Sequence, residues 1–247
     1  MTLFEEWWNS IPPVTRSYIC LSVLTTSAVA LEVITPYKLY LDWALILTQA
    51  HVWRLFTNFL FFGNFTLDFL FHMFFLYRYS NLLETNSFRG RTADFLYMLL
   101  FGAAWLVLMS PFASIDFLGP SLTFMMVYVW GRRNSRQMVG FLGVLTFRAP
   151  YLPWVLLLFS FVFGSSPSMD LLGILAGHVY YYMADVYPAM TGISLLKTPR
   201  ILKLLVGNND DFDDHAYQAV PQQADGANAR RGGGWGQGRM LDGGANQ

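Results

Sequence analysis

Asp68 and His72 stand four residues apart within an apolar stretch, a spacing that puts both on one face of a helix. A carboxylate beside an imidazole can share a proton or hold a polar guest, and inside lipid such groups face a cavity or a partner. Asn58 and Asn64 belong to the same stretch, with Asn64 on the Asp68 side. Two readings stand side by side: a hydrophilic wall along which a polar chain passes, or an internal hydrogen bond that holds a bundle together. Ser121 and Thr123 place hydroxyls in a later apolar stretch, and His178 reads as a satisfied bundle histidine. Gly173 and Gly177 form a small face that lets another helix approach closely. Glu32 reads as an interfacial carboxylate. Asn64-Phe65-Thr66 matches the glycosylation sequon, but its place within a span argues against its use. No metal site or cofactor is suggested.

These groups must be held by membrane helices. The composition, 54% hydrophobic, 17% aromatic and 13% charged, is that of a polytopic membrane protein. Six apolar stretches read as crossings, at about 17–35, 55–77, 94–110, 118–130, 152–164 and 171–187. The first carries no basic leader or cleavage site and reads as a signal anchor. Every Lys and Arg except Lys38 and Arg54 falls before the first stretch, in the 78–93 and 131–148 loops or after residue 190, so both termini are cytosolic by the positive-inside rule. Stretches four to six are short: thirteen helical residues cover about 20 Å, against a hydrocarbon core of about 30 Å. Three such spans together imply a locally thinned bilayer.

Met138–Phe147 is apolar but lies between Arg136 and Arg148, and is expected to lie flat in, or re-enter, the cytosolic interface. Residues 191–206 alternate Leu and Ile with Lys197, Arg200 and Lys203, and read as an interfacial amphipathic helix. From residue 207 the chain is rich in Asp, Gln, Gly and Asn and reads as a disordered tail. The tail's Arg residues are few and offset by Asp210, Asp211, Asp213 and Asp214, which excludes nucleic acid as a partner. The lone Cys20 excludes an intramolecular disulfide. Within the tail, Trp235 and Leu241 can fill two small pockets of a partner, while Gly236 and Gly238 let the backbone lie close.

Trp53-Arg54, ahead of the second span, resembles the pair with which the rhomboid superfamily anchors its first luminal loop. Asn81-Leu82-Leu83-Glu84, Tyr128-Val129-Trp130 and Gly173/Gly177 continue the likeness over roughly residues 1–190. Rhomboid proteases carry a serine in Gly-x-Ser-Gly and a histidine three residues before the first glycine of the sixth-span pair. Here the histidine position is Asp170, and Ser121 in Gly119-Pro120-Ser121-Leu122 lacks the second glycine. Their His-x-x-x-Asn in the second span stands here as Asp68-x-x-x-His72. A serine without a base in reach is a weak nucleophile.

Phe117-Leu118-Gly119, Met126–Asn134, Arg148–Trp154, Asp170–Gly173 and Gly177–Pro188 resemble, in order, the later spans of the Derlin family. That resemblance implies an all-α polytopic membrane protein. Its architecture would be a rhomboid-like bundle of six transmembrane helices at 1–190, with a disordered cytosolic tail at 207–247. It implies a non-catalytic component of endoplasmic-reticulum-associated degradation, a multi-pass protein of that membrane, helping to export misfolded proteins to the cytosol. The 235–241 motif resembles the SHP box that binds the valosin-containing-protein type AAA ATPase. A membrane ubiquitin ligase at 78–93 and 131–148, and membrane lipids, complete the expected partners. Asn58, Asn64, Asp68, His72, Ser121 and Thr123 would line a groove or channel. The alternatives are a homo-oligomeric protein-conducting channel and an intramembrane serine protease using Ser121 and His178.

Overall fold

The computed structural model describes residues 3–206, apart from 114, 142–144 and 163–165. The expected tail and its 235–241 motif lie outside the described residues. A short helix α1 (Leu3–Ser10) precedes α2 (Pro13–Ala30). Pro13 is pre-organised for the first helical position. The Glu84 carboxylate receives Val14 N–H at 3.1 Å, Thr15 N–H at 2.9 Å and the Thr15 hydroxyl at 2.7 Å, satisfying donors that a helix start leaves open. The helix stops at Ala30, short of the expected Thr35, in a Schellman turn. Glu32 takes φ 58, Val33 N–H donates to Ala28 O and Glu32 N–H to Val29 O, both at 3.0 Å.

Helices α3 (Trp43–Gln49) and α4 (Arg54–Thr57) build the loop between α2 and α5 (Leu67–Leu82). The expected single helix over 55–77 is therefore corrected. Gly63 at φ 93 turns the chain, and Thr66 accepts from Phe69 N–H to start a new helix. Asn58 and Asn64 precede that start and do not share the helical face of Asp68 and His72.

After a π-turn at Leu83–Ser87 comes α6 (Thr92–Ala113). By length and composition it is the helix, among the described residues, able to cross a membrane. Its Pro111 removes the N–H that Val107 O would receive, and the Ser110 hydroxyl donates to that carbonyl at 2.8 Å instead. Trp43 Nε1–H in turn donates to Ser110 Oγ at 3.0 Å, tying α3 to α6.

Helix α7 (Gly119–Arg133) is the axis of the fold: every residue from Gly119 to Gly131 is buried. α5, α6, α8 (Leu152–Val162) and α9 (Pro167–Tyr181) pack around it. A helix apolar all round is a buried one, so the shortness of the fourth stretch meets protein rather than lipid. The sixth apolar stretch lies within a longer helical run. α9 continues through a π-turn at Tyr182–Val186 into α10 (Tyr187–Thr191), roughly 35 Å of helix at 1.5 Å per residue. Of the helices in these three stretches, α8, about 16 Å long on the same basis, is short and outward-facing, with Trp154, Leu158, Phe161 and Val162 exposed.

The fold is mostly helical, as expected of an all-α protein, with one short hairpin among the described residues. Met138–Phe147, expected flat in the interface, forms an antiparallel hairpin of β1 (Met138–Phe141) and β2 (Leu145–Arg148), pairing Met138 with Arg148 and Phe141 with Leu145. Its β-branched, aromatic and glycine residues disfavour helix. The helix expected over 191–206 is confined to α11 (Arg200–Val206), because Pro199 biases Thr198 away from helical backbone. The Thr198 hydroxyl donates to Asp94 at 2.5 Å and seats this segment against α6.

Candidate functional site

A narrow cleft of about 30 Å³ opens between α5 and α8, floored by α7. α5 contributes Asp68, Phe71, His72 and Phe75, spaced to share one face. α7 contributes Thr123, Phe124 and Val127, and α8 Leu156, Phe159 and Ser160. α5 and α8 pack on α7 more than on each other, which leaves the gap. An edge-to-face contact of Phe71 with Phe159, centroids 5.3 Å apart, spans it.

His72 Nδ1 lies 2.9 Å from the Asp68 carbonyl and 3.5 Å from its carboxylate. A carbonyl only accepts, so Nδ1 carries a hydrogen toward it. Asp170 lies on α9 with 2% exposure, within electrostatic reach of His72, Asp68 and Ser160. Its position is set by Ser121, whose hydroxyl donates at 2.8 Å to the carbonyl of the preceding Met169.

The residues expected to line a groove therefore divide. Asp68, His72 and Thr123 share the cleft. Ser121 is fully buried and spent on the α7–α9 contact. Asn58 is also fully buried, with its amide donating to Arg54 O at 2.5 Å, and its carbonyl receives Leu118 N–H through the backbone at 3.2 Å. Asn64 is exposed in the turn before α5. Tertiary packing, not helical spacing, separates these three from the site.

Ser121 and His178 have different partners. The His178 ring takes the Tyr128 hydroxyl at 2.7 Å. Tyr128 lies seven residues along α7 from Ser121, on the order of 10 Å away.

The loop after α2 is held from inside. Arg54 is 5% exposed, and its Nη1 donates to Tyr37 O at 3.0 Å and Tyr40 O at 2.9 Å, with the guanidinium over the Tyr40 ring. Asp42 caps α3; the Leu45 N–H and the Tyr40 hydroxyl hold its carboxyl below the usual carboxylate range. Trp53 is half exposed and packs its ring on His51 at 4.4 Å. Arg54 and Trp53 thus differ in environment despite their adjacency.

Gly173 and Gly177 face α7. A Cβ on Gly173 would strike the Ser121 carbonyl and Phe124, and one on Gly177 would come 2.8 Å from Tyr128 Cβ. Gly131 lies equally close to Ala149 O. On the other side of the bundle from the loop, Arg133 grips Asp185 with two bonds of 2.9 and 3.0 Å.

Spacing alone missed Ser160 and the grouping of Asp170 with His72, since they come from three separate helices. The signal available was Asp170 itself, an acid in an apolar stretch. Glu84 was legible as part of a motif, but its role at the start of α2 was not.

The Der1-like family profile matches residues 11–200. Among curated relatives, Derlin-2.2 of Zea mays is 53% identical over 92% of this chain and 94% of its own length. Derlin-2.2 of Arabidopsis thaliana is 55% identical over 81% and 87%. The probable derlin-2 homolog of Dictyostelium discoideum is 44% identical over 84% of both chains. With the match running from the start of α2 to the start of α11, this chain belongs to the Der1-like family and is a Derlin.

Proposed function

We propose that this Derlin is a non-catalytic, multi-pass protein of the endoplasmic reticulum membrane that helps move misfolded proteins to the cytosol for degradation. Both termini are cytosolic and the apolar stretches form six crossings. The packing of α2 supports a lipid setting: its buried positions include Thr15, Ser22 and Thr26, while Leu21, Val23 and Leu24 face outward. That inverts the pattern of a helix on a soluble protein and suits one packed through small residues in lipid.

The observation that carries the proposal is the cleft between α5 and α8, whose mainly apolar walls are interrupted by Asp68 and His72. Asp68 and His72 give a client chain polar contacts at membrane depth, where unsatisfied backbone groups are expensive. The separate partners of Ser121 and His178 support a pseudoprotease, because a serine must reach a base to act as a nucleophile. Filling the cleft tests the reading. Ser160→Phe is expected to lengthen the half-life of a misfolded luminal client severalfold while the variant keeps the wild-type gel-filtration profile. Normal client turnover in that variant would remove the cleft from the mechanism.

Thinning of the bilayer enters at α8 alone. Its short outward face would draw the nearer lipid inward beside the cleft mouth and shorten the apolar path. Lipid density in a bilayer reconstruction is expected to narrow next to Trp154, Leu158 and Phe161. Full thickness there would dispose of thinning and leave the cleft reading intact. The membrane body has no nucleotide-binding motif, so force would come from an AAA ATPase recruited through 235–241.

A further inference from the structure

The ends of α7 and α9 that the proposed topology puts at the cytosolic surface lie side by side, and two residues from each meet there. Tyr128 and Arg132 stand one turn apart on α7, and His178 and Tyr181 occupy successive turns of α9. The Tyr128 hydroxyl and His178 Nδ1 are 2.7 Å apart. The Arg132 guanidinium lies over two rings, its carbon 5.9 Å from the Tyr128 centroid and 5.4 Å from that of Tyr181. Aromatic faces orient such a planar fork, but they do not neutralise it. Asp185, the acid at this end of α9, is taken by Arg133 in two bonds. Among the described residues Arg132 has no carboxylate partner, and both it and His178 are exposed. Toward the membrane interior from His178, Leu175 and Leu171 continue the same face at 49% and 46% exposure. A stacked, unbalanced cation thus tops an apolar outward stripe.

We propose that Arg132 and His178 bind the phosphate of an anionic phospholipid from the cytosolic leaflet, with its acyl chain lying along Leu175 and Leu171. The proposal rests on the membrane placement given above and goes beyond it to a lipid specificity. Arginine's fork matches two phosphate oxygens, and the two tyrosine rings set that fork before the lipid arrives, which lowers the ordering cost of binding. When the Tyr128 hydroxyl donates to Nδ1, His178 Nε2 carries a hydrogen and supplies a further donor. Tyr128 is 6% exposed and committed to His178, so it positions both groups without touching the lipid. A zwitterionic headgroup brings its own cation to Arg132 and loses most of the attraction. An acidic peptide meets the fork but leaves the leucine stripe uncovered. A bound lipid would bridge α7 and α9 beside the crossing at Gly177.

The test uses the full-length protein with photo-reactive benzoylphenylalanine at position 175, in phosphatidylcholine vesicles carrying a trace of dye-tagged lipid. The tagged lipid is either phosphatidic acid or phosphatidylcholine with the same chains. Phosphatidic acid is expected to label about fivefold more than phosphatidylcholine, the preference that one basic residue gives at a membrane surface. Arg132→Gln is expected to bring the ratio near one. Arg132→Lys should keep only part of the preference, since an ammonium lacks the fork, and it reports even where Arg132→Gln fails to fold. Arg136 is exposed and outside this cluster, so Arg136→Gln is expected to leave the ratio unchanged. Equal labelling by both lipids, or the same loss in Arg136→Gln as in Arg132→Gln, overturns the site while lipid contact along α9 stands. Inorganic phosphate at matched ionic strength is expected to leave the preference in place; its erasure would make free phosphate the ligand and overturn the lipid. No labelling by either lipid overturns the membrane placement of this face as well.

Discussion

Gly177→Leu is expected to abolish the folded membrane body. Gly177 lies where α9 crosses α7, and a Cβ there would come 2.8 Å from Tyr128 Cβ and 3.1 Å from Met125 O. The Met125 carbonyl belongs to helix backbone and cannot swing aside as a side-chain tip can. Tyr128 is also fixed, because its hydroxyl bonds His178 on the next residue of α9. Leucine therefore forces the helices apart at the best-packed contact in the fold, at a cost of about 3 kcal/mol or more. One turn away, Gly173 faces the Ser121 carbonyl under the same restriction, so the pair cannot relieve strain by sliding. Size exclusion after detergent extraction is the measurement. Loss of the monodisperse peak is expected, with Gly177→Ala intermediate; a wild-type profile for Gly177→Leu would refute the packing argument. Because Ser121 and Asp170 are set by this same contact, the cleft is expected to fail with it.

The second large effect concerns the tail and leaves the body untouched. Trp235→Ala together with Leu241→Ala is expected to remove binding of the AAA ATPase in pull-downs from solubilised membranes. Each apolar anchor buried in a pocket contributes about 2 kcal/mol, with tryptophan at the upper end of interface residues. Losing both weakens binding on the order of a thousandfold, enough to carry a micromolar contact out of range. Thermal stability of the double variant is expected to equal that of the parent. Binding that survives the double change would show the motif assignment to be wrong. A drop in body stability would show that 235–241 serves the fold instead.

The two substitutions separate what each level of information supplies. The Trp53-Arg54 pair, Tyr128-Val129-Trp130 and the Gly173/Gly177 spacing are strings of neighbours, readable without a fold, and they led to the family that the comparisons establish. Helix α6 was legible for the same reason: its apolar run is continuous and long. The interruption at Gly63 was not, because Phe59, Leu60, Phe61 and Phe62 keep hydropathy high through the turn. Hydropathy measures what the surroundings tolerate and is blind to whether the backbone is helical. Nor could it tell a buried helix from a lipid-facing one, since both are apolar. The shortness of α7 therefore reads as an effect on lipid, although protein encloses that helix from Gly119 to Gly131.

By itself the sequence determined the family, the helical character of most of the body, and the distribution of basic residues on which orientation rests. These are local or summed properties, carried by residue type and near spacing. Only the tertiary structure decided which polar groups meet. It drew Asp68, His72, Thr123 and Ser160 into one cleft over Asp170, and sent Ser121, Asn58 and Asn64 elsewhere. The reason is physical. A side chain's partners are fixed by how distant helices cross, and those crossings are set by close contacts at Gly131, Gly173 and Gly177 that no single stretch of chain contains.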